Sequence, residues 1–233
     1  MTSFISQHLY LLAALYFAFW WVLFFFISKD QRRAMLIFGF WGMVLGPLVQ
    51  QMHLIDWWHP NFVFDTPVKL EDVLFGLAVP GVAATAYGVL RMKVPVRQQA
   101  IPLFLKIVLV ATALFLLFGL FYLFGVSSFW SSILSLCVSI LFIAITRPRL
   151  LWLFFVVGMF LVALAVPGYL LGIHLNPHWI ENEWWLSKLS DRFVFGIPVE
   201  ELAWFFFAGA GLAAAKEILF APIHTRFQHD IKK

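Results

Sequence analysis

Seven predominantly apolar runs follow one another along this chain, at about residues 8–28, 34–54, 70–90, 102–124, 129–146, 150–172 and 199–220. Each is long enough to cross the roughly 30 Å hydrocarbon core of a bilayer as a helix. One such run could be a buried helix of a soluble core. Seven in 233 residues cannot, because a composition 63% hydrophobic and 12% charged has too little polar surface to cover them. The predicted class is an all-α, multi-pass integral protein of the cell membrane with seven transmembrane helices.

Charge placement orients the spans. Thirteen of the sixteen Lys and Arg residues fall in alternate turns: Lys29, Arg32 and Arg33; Arg91, Lys93, Arg97 and Lys106; Arg147 and Arg149; Lys216, Arg226, Lys232 and Lys233. Only Lys69, Lys188 and Arg192 lie on the other side, which also holds nine of the twelve acids. Basic loops stay in the cytoplasm, so the C-terminus is predicted inside and the N-terminus outside. These cations flank spans instead of forming a patch, which argues against a nucleic-acid partner. The first span lacks a preceding basic segment and a small-residue cleavage site, so it reads as a retained helix. With Cys137 as the single cysteine, neither an internal disulfide nor a cysteine metal site can form.

Two segments of the chain match. Residues 62–75 read FVFDTPVKLEDVLF and residues 193–205 read FVFGIPVEELAWF. Each follows the same series: a basic turn, an apolar span with a glycine and then a proline (Gly42 and Pro47; Gly158 and Pro167), His-Leu, and paired tryptophans (Trp57-Trp58; Trp184-Trp185). That shared order predicts a duplication. Residues 1–95 form the first three-helix repeat, 96–126 a linking transmembrane helix, and 127–233 the second repeat. Three helices reverse the chain and the linking helix restores its direction, so the repeats run parallel about an axis along the membrane normal. The Gly42/Gly46 pair predicts a close helix crossing. Pro47, Pro80 and Pro167 predict kinks, and Trp57, Trp58, Trp179, Trp184 and Trp185 predict anchors at the membrane interface.

The matched segments place acid pairs, Glu71-Asp72 and Glu200-Glu201, at the starts of the third and seventh spans. A helix start is a favourable place for an acid, and Pro198 suits the first turn of the seventh span. Two copies of two adjacent acids at a membrane boundary nevertheless point to function. Adjacent helical residues project about 100° apart, so one acid of each pair can face the bundle centre while the other faces a loop. Acids meeting from both halves in a dry site would leave a neutral carboxyl able to protonate an apolar compound. Phe75, Trp204 and Phe205 lie within two turns of them and could offer π faces to a cation.

The segment Pro198-Val199-Glu200-Glu201-Leu202, opening the third helix of a duplicated three-helix unit, resembles the lycopene cyclase domain family of heterodimeric bacterial, fused archaeal and fungal carotenoid cyclases. The resemblance covers nearly the whole chain as two domain copies joined by a helix. It implies cyclisation of the ends of lycopene or a related long polyene to ionone rings, an isomerisation in carotenoid biosynthesis that needs no cofactor and no metal. On that resemblance Glu200, Glu201, Glu71 and Asp72 would be the catalytic acids, Phe75, Trp204 and Phe205 the substrate-binding aromatics, and Pro198 part of the motif. The first copy departs from the motif, with Lys69 where proline is expected and Pro67 two residues earlier. The implied partners are the polyene, the lipid bilayer and other enzymes of carotenoid biosynthesis.

Two other classes fit seven spans. A retinal-binding protein needs a Schiff-base lysine in mid-helix, but Lys216 lies about 24 Å beyond Glu200 and is expected to snorkel to the surface. A transporter with an acidic proton or ion site would place its acids at midplane helix breaks, not at helix starts. Gly209-Ala210-Gly211-Leu212-Ala213-Ala214 fits the dinucleotide fingerprint, but it lies within a span with no preceding strand and reads as a packing surface.

Overall fold

The computed structural model describes residues 4–90, 92 and 100–221. It is 80% helical, with seven helices long and apolar enough to cross a membrane. They are α1 (Leu9–Ile27), α2 (Arg32–Asp56), α3 (Leu70–Val89), α4 (Leu103–Phe124), α5 (Ser128–Thr146), α6 (Leu151–Leu175) and α7 (Val199–Leu219). These bounds agree closely with the seven apolar runs. Arg91, Lys93, Arg97, Arg226, Lys232 and Lys233 lie outside the described residues.

Two helices occupy the centre, because they are the ones built from small residues. α3 packs against α1, α2 and α7, while α7 packs against α5, α6 and α3. A Cβ on Gly42 or Gly76 would overlap the carbonyl of the other, and one on Gly46 would lie 3.1 Å from the Asp72 carbonyl oxygen. The expected Gly42/Gly46 crossing is therefore the α2–α3 contact. On α7, a Cβ on Gly209 would come within 2.8 Å of the Val157 carbonyl, and one on Gly211 within 2.8 Å of that of Leu136. The apparent dinucleotide fingerprint is thus a surface on which α6 and α5 rest. Larger side chains fill the space between α1, α2, α3, α6 and α7, with Phe17, Met35, Val79, Leu161 and Phe205 buried there.

α4 differs from the rest. Its main neighbour is α5, and Lys106 is its one buried residue among those described. An apolar helix left largely unburied is stable in lipid, where it needs no burial to hide its side chains. A π-helical turn interrupts it at Phe115–Gly119. α2, α3 and α6 run through Pro47, Pro80 and Pro167 as continuous helices.

The loops after α2 and α6 are joined at one end of the bundle. The Trp185 amide donates to the Trp57 carbonyl (2.9 Å) and the His59 amide to the Glu183 carbonyl (2.7 Å). Asp56 accepts from the Ser128 amide at 2.9 Å and from its hydroxyl, which caps α5. A two-residue hairpin, β1 (Phe193–Val194) and β2 (Ile197–Pro198), leads into α7, a small addition to the all-α expectation. Phe195 and Gly196 form its turn at φ of 55° and 77°, the backbone of a tight hairpin loop. Pro198 precedes the helix, which begins at Val199, so it ends the hairpin instead of occupying the first helical turn.

Candidate active site

All four acids of the two pairs are buried: Glu71 and Asp72 at 0% and 2% exposure, Glu200 and Glu201 at 9% and 7%. Helical geometry sends the members of each pair in different directions. The first member turns back to the loop that leads into its own helix. Glu71 Oε1 accepts from the Val63 amide (2.8 Å), and Glu200 Oε1 accepts from the Ser190 amide (2.7 Å). The second member faces inward. Asp72 Oδ1 accepts from the Tyr10 hydroxyl (2.8 Å) on α1. Glu201 Oε2 accepts from the Tyr169 hydroxyl (2.5 Å) on α6, and its Oε1 from Trp184 Nε1 (2.7 Å).

Asp72 and Glu201 line one cavity of about 690 Å³ to which all seven helices contribute; Glu71 and Glu200 do not line it. Both Glu201 and Leu219 belong to its wall, so it follows α7 for about 27 Å. Phe75, Trp204 and Phe205 all line it near the acids. Phe75 lies edge-on to Phe205 and tilted to Trp204, each with centroids 6.2 Å apart, and Phe17 stacks on Phe205 at 5.3 Å. The sequence-predicted site therefore comes together in part: two of the four acids and all three aromatics share the chamber.

Several lining residues were not singled out as site residues by the sequence reading. Tyr10 and Tyr169 each give a hydroxyl to an acid, and such hydroxyls within apolar spans are their only available signal. The tryptophans read as interface anchors divide into two groups. Trp57, Trp179 and Trp184 are 3% exposed and line the cavity, whereas Trp185 stands 37% exposed on the loop. Indole N–H groups explain the inward placement of two of them, since Trp184 reaches Glu201 and Trp179 reaches Glu183 (2.9 Å). His53 faces Ser132 across the cavity wall at 3.3 Å. Three buried polar atoms of the lining lack a hydrogen-bond partner: Asp72 Oδ2, Gln50 Nε2 and Trp57 Nε1.

The other end of the chamber is basic. Lys106 Nζ donates to the carbonyls of Leu219 (2.9 Å) and Ala221 (2.5 Å), closing the end of α7. Lys216 does not line the cavity and does not snorkel. It is 6% exposed, hydrogen-bonded to Gln31 and 4.1 Å from the centre of the Tyr87 ring. Outside the spans, burial pushes the Glu183 carboxyl up to about 6 although Trp179 and Asn61 donate to it. Among the described residues, no group of three or more His, Cys, Asp and Glu side chains is arranged to hold a metal ion. No protein-family model, curated protein or solved structure matches the chain.

Proposed function

We propose that this protein is a membrane-embedded carotenoid cyclase that closes the ends of lycopene or a related polyene by acid–base chemistry. One observation carries the reading. Two carboxyls from matched helix starts, Asp72 and Glu201, meet one long, aromatic-lined, apolar chamber. A polyene offers no group for hydrogen bonding or metal coordination, so a site for it needs a proton source, π faces and exclusion of water.

The hydrogen bonds distinguish the two acids. Glu201 accepts donors on both oxygens, the arrangement of a carboxylate. Asp72 has one oxygen satisfied by Tyr10 and the other without a donor, and a buried carboxyl left so holds a negative charge poorly, which favours its neutral form. Asp72 is then the acid. Its proton adds to the terminal double bond and leaves a tertiary cation. The neighbouring alkene attacks that cation, forming the ring bond and moving the charge into the ring. Glu201 removes a ring proton, and the electrons of that C–H bond become the ring double bond. No electrons enter or leave and the polyene's formula is unchanged. The proton must then return to Asp72. Tyr10, hydrogen-bonded to Asp72, holds that carboxyl in place to receive it. Phe75, Trp204 and Phe205 present π faces to the cation between the two transfers. Glu71 and Glu200 are positioning residues that hold the loops over the chamber.

The duplicated organisation belongs to the same reading. α3 stands to α1 and α2 as α7 stands to α5 and α6, and in both halves the first acid ties a loop while the second faces inward. The tyrosines come from α1 and α6, which are not equivalent helices of the two repeats.

Expression in a lycopene-accumulating bacterium, with pigments separated by chromatography, tests the activity. Conversion to cyclic carotenoids is expected, and unchanged lycopene beside membrane-inserted protein would reject it.

A further inference from the structure

The chamber is not enclosed on every side. Ile37 and Trp41 on α2, and Val110 and Leu114 on α4, line it and are nevertheless 37%, 56%, 42% and 38% exposed. Accessibility this high on lining residues of two neighbouring helices points to an opening between them. α2 rests on α3 and α4 rests on α5, but α2 and α4 barely touch each other. Trp41 lies about 14 Å along α2 from Arg32, and Leu114 about 17 Å along α4 from Leu103. The opening therefore sits near the middle of a roughly 30 Å hydrocarbon layer, away from either aqueous surface. The π turn that follows Leu114 carries Leu117 into the lining, and turns of this kind are often found at functional sites.

We propose that the seam between α2 and α4 is a lateral entrance through which an uncharged, extended hydrocarbon passes from the bilayer core into the chamber. The chemistry of the seam selects that class. Ile37, Trp41, Val110, Ala113 and Leu114 offer no charge, and a lipid headgroup crossing them would lose its hydration without replacement. That the natural occupant is a polyene rests on the cyclase reading; the entrance itself does not.

The test uses full-length protein in phosphatidylcholine vesicles, with Cys137→Ser removing the native thiol and Ser132→Cys placing one on the buried chamber wall. Pyrene maleimide dissolved in the bilayer is expected to label that cysteine. Ala113→Trp or Val110→Trp, each filling the seam, should slow labelling at least tenfold, while Val108→Trp, on the exposed face of α4 turned from the chamber, should not. The two seam variants guard against misfolding of either. Labelling at equal rates in all four proteins would overturn the entrance. In lycopene-accumulating cells without the cysteine changes, the seam variants should also lose at least tenfold in cyclic product. Gated labelling with no cyclic product from the unaltered chain would keep the entrance and remove the cyclase reading.

Discussion

At the scale of single residues, the decisive fact is the division within each acid pair. Adjacent positions on a helix cannot share a direction, so one carboxyl of each pair secures a loop and the other faces the chamber. This yields an unequal expectation for four conservative changes. Asp72→Asn and Glu201→Gln should each lower cyclic product by at least about a hundredfold, the usual worth of a positioned acid or base. Glu71→Gln and Glu200→Gln keep an acceptor for Val63 and Ser190 and should stay within about tenfold of the unaltered protein. Pigment chromatography, normalised to protein in the membrane, measures all four. Loss on Glu71→Gln and Glu200→Gln with full activity in Asp72→Asn and Glu201→Gln would invert the assignment. The general location of the acids was legible in the sequence because they are rare charges in an apolar chain. Which of each pair points inward was not, since that depends on the rotation of α3 and α7 about their axes.

At the scale of elements, close crossings and loop junctions position those residues. The α2–α3 crossing has no room for a side chain at Gly42 or Gly76. Gly76→Leu should force the helices apart and cost about 1–3 kcal/mol or more, read as a lowered melting temperature in detergent. An unchanged melting temperature would mean that the helices do not cross so closely. The clasp between the loops after α2 and α6 carries a pH dependence through Glu183. Its carboxyl lies at about 6 in the folded chain against 4.5 in the unfolded one. Folding therefore favours its neutral form: the clasp is firmest below about pH 4.5 and weakens as pH rises through about 6. The full change is about 2 kcal/mol. Melting temperatures between pH 4.5 and 7.5 should fall less steeply for Glu183→Gln than for the unaltered protein. The crossing was announced by the glycine spacing. The clasp was not, because its partners are more than a hundred residues apart and join through backbone atoms that every residue shares.

At the scale of the whole molecule, the helix ends are sorted by charge. Gln31, Lys106 and Lys216 meet the end of α7 on one side, and the acids with their tryptophan loops gather at the other. The positive-inside rule predicts that the basic end faces the cytoplasm. A fluorescent protein fused to the C-terminus should thus mature and fluoresce, while alkaline phosphatase fused there should be inactive. The reverse pair of results would place the chamber's acid end in the cytoplasm.

Chain composition by itself determined the number of helices, their length and their environment, because transfer into lipid depends on local apolar content alone. It also marked the acid pairs, since charges at a membrane boundary stand out without any knowledge of neighbours. Only tertiary structure decided that Tyr10 serves Asp72, that Trp184 and Tyr169 serve Glu201, and that α4 stands clear of α2. Those choices follow from side-chain packing and hydrogen bonding between helices far apart in the chain, where apolar residues of many kinds satisfy the bilayer equally well.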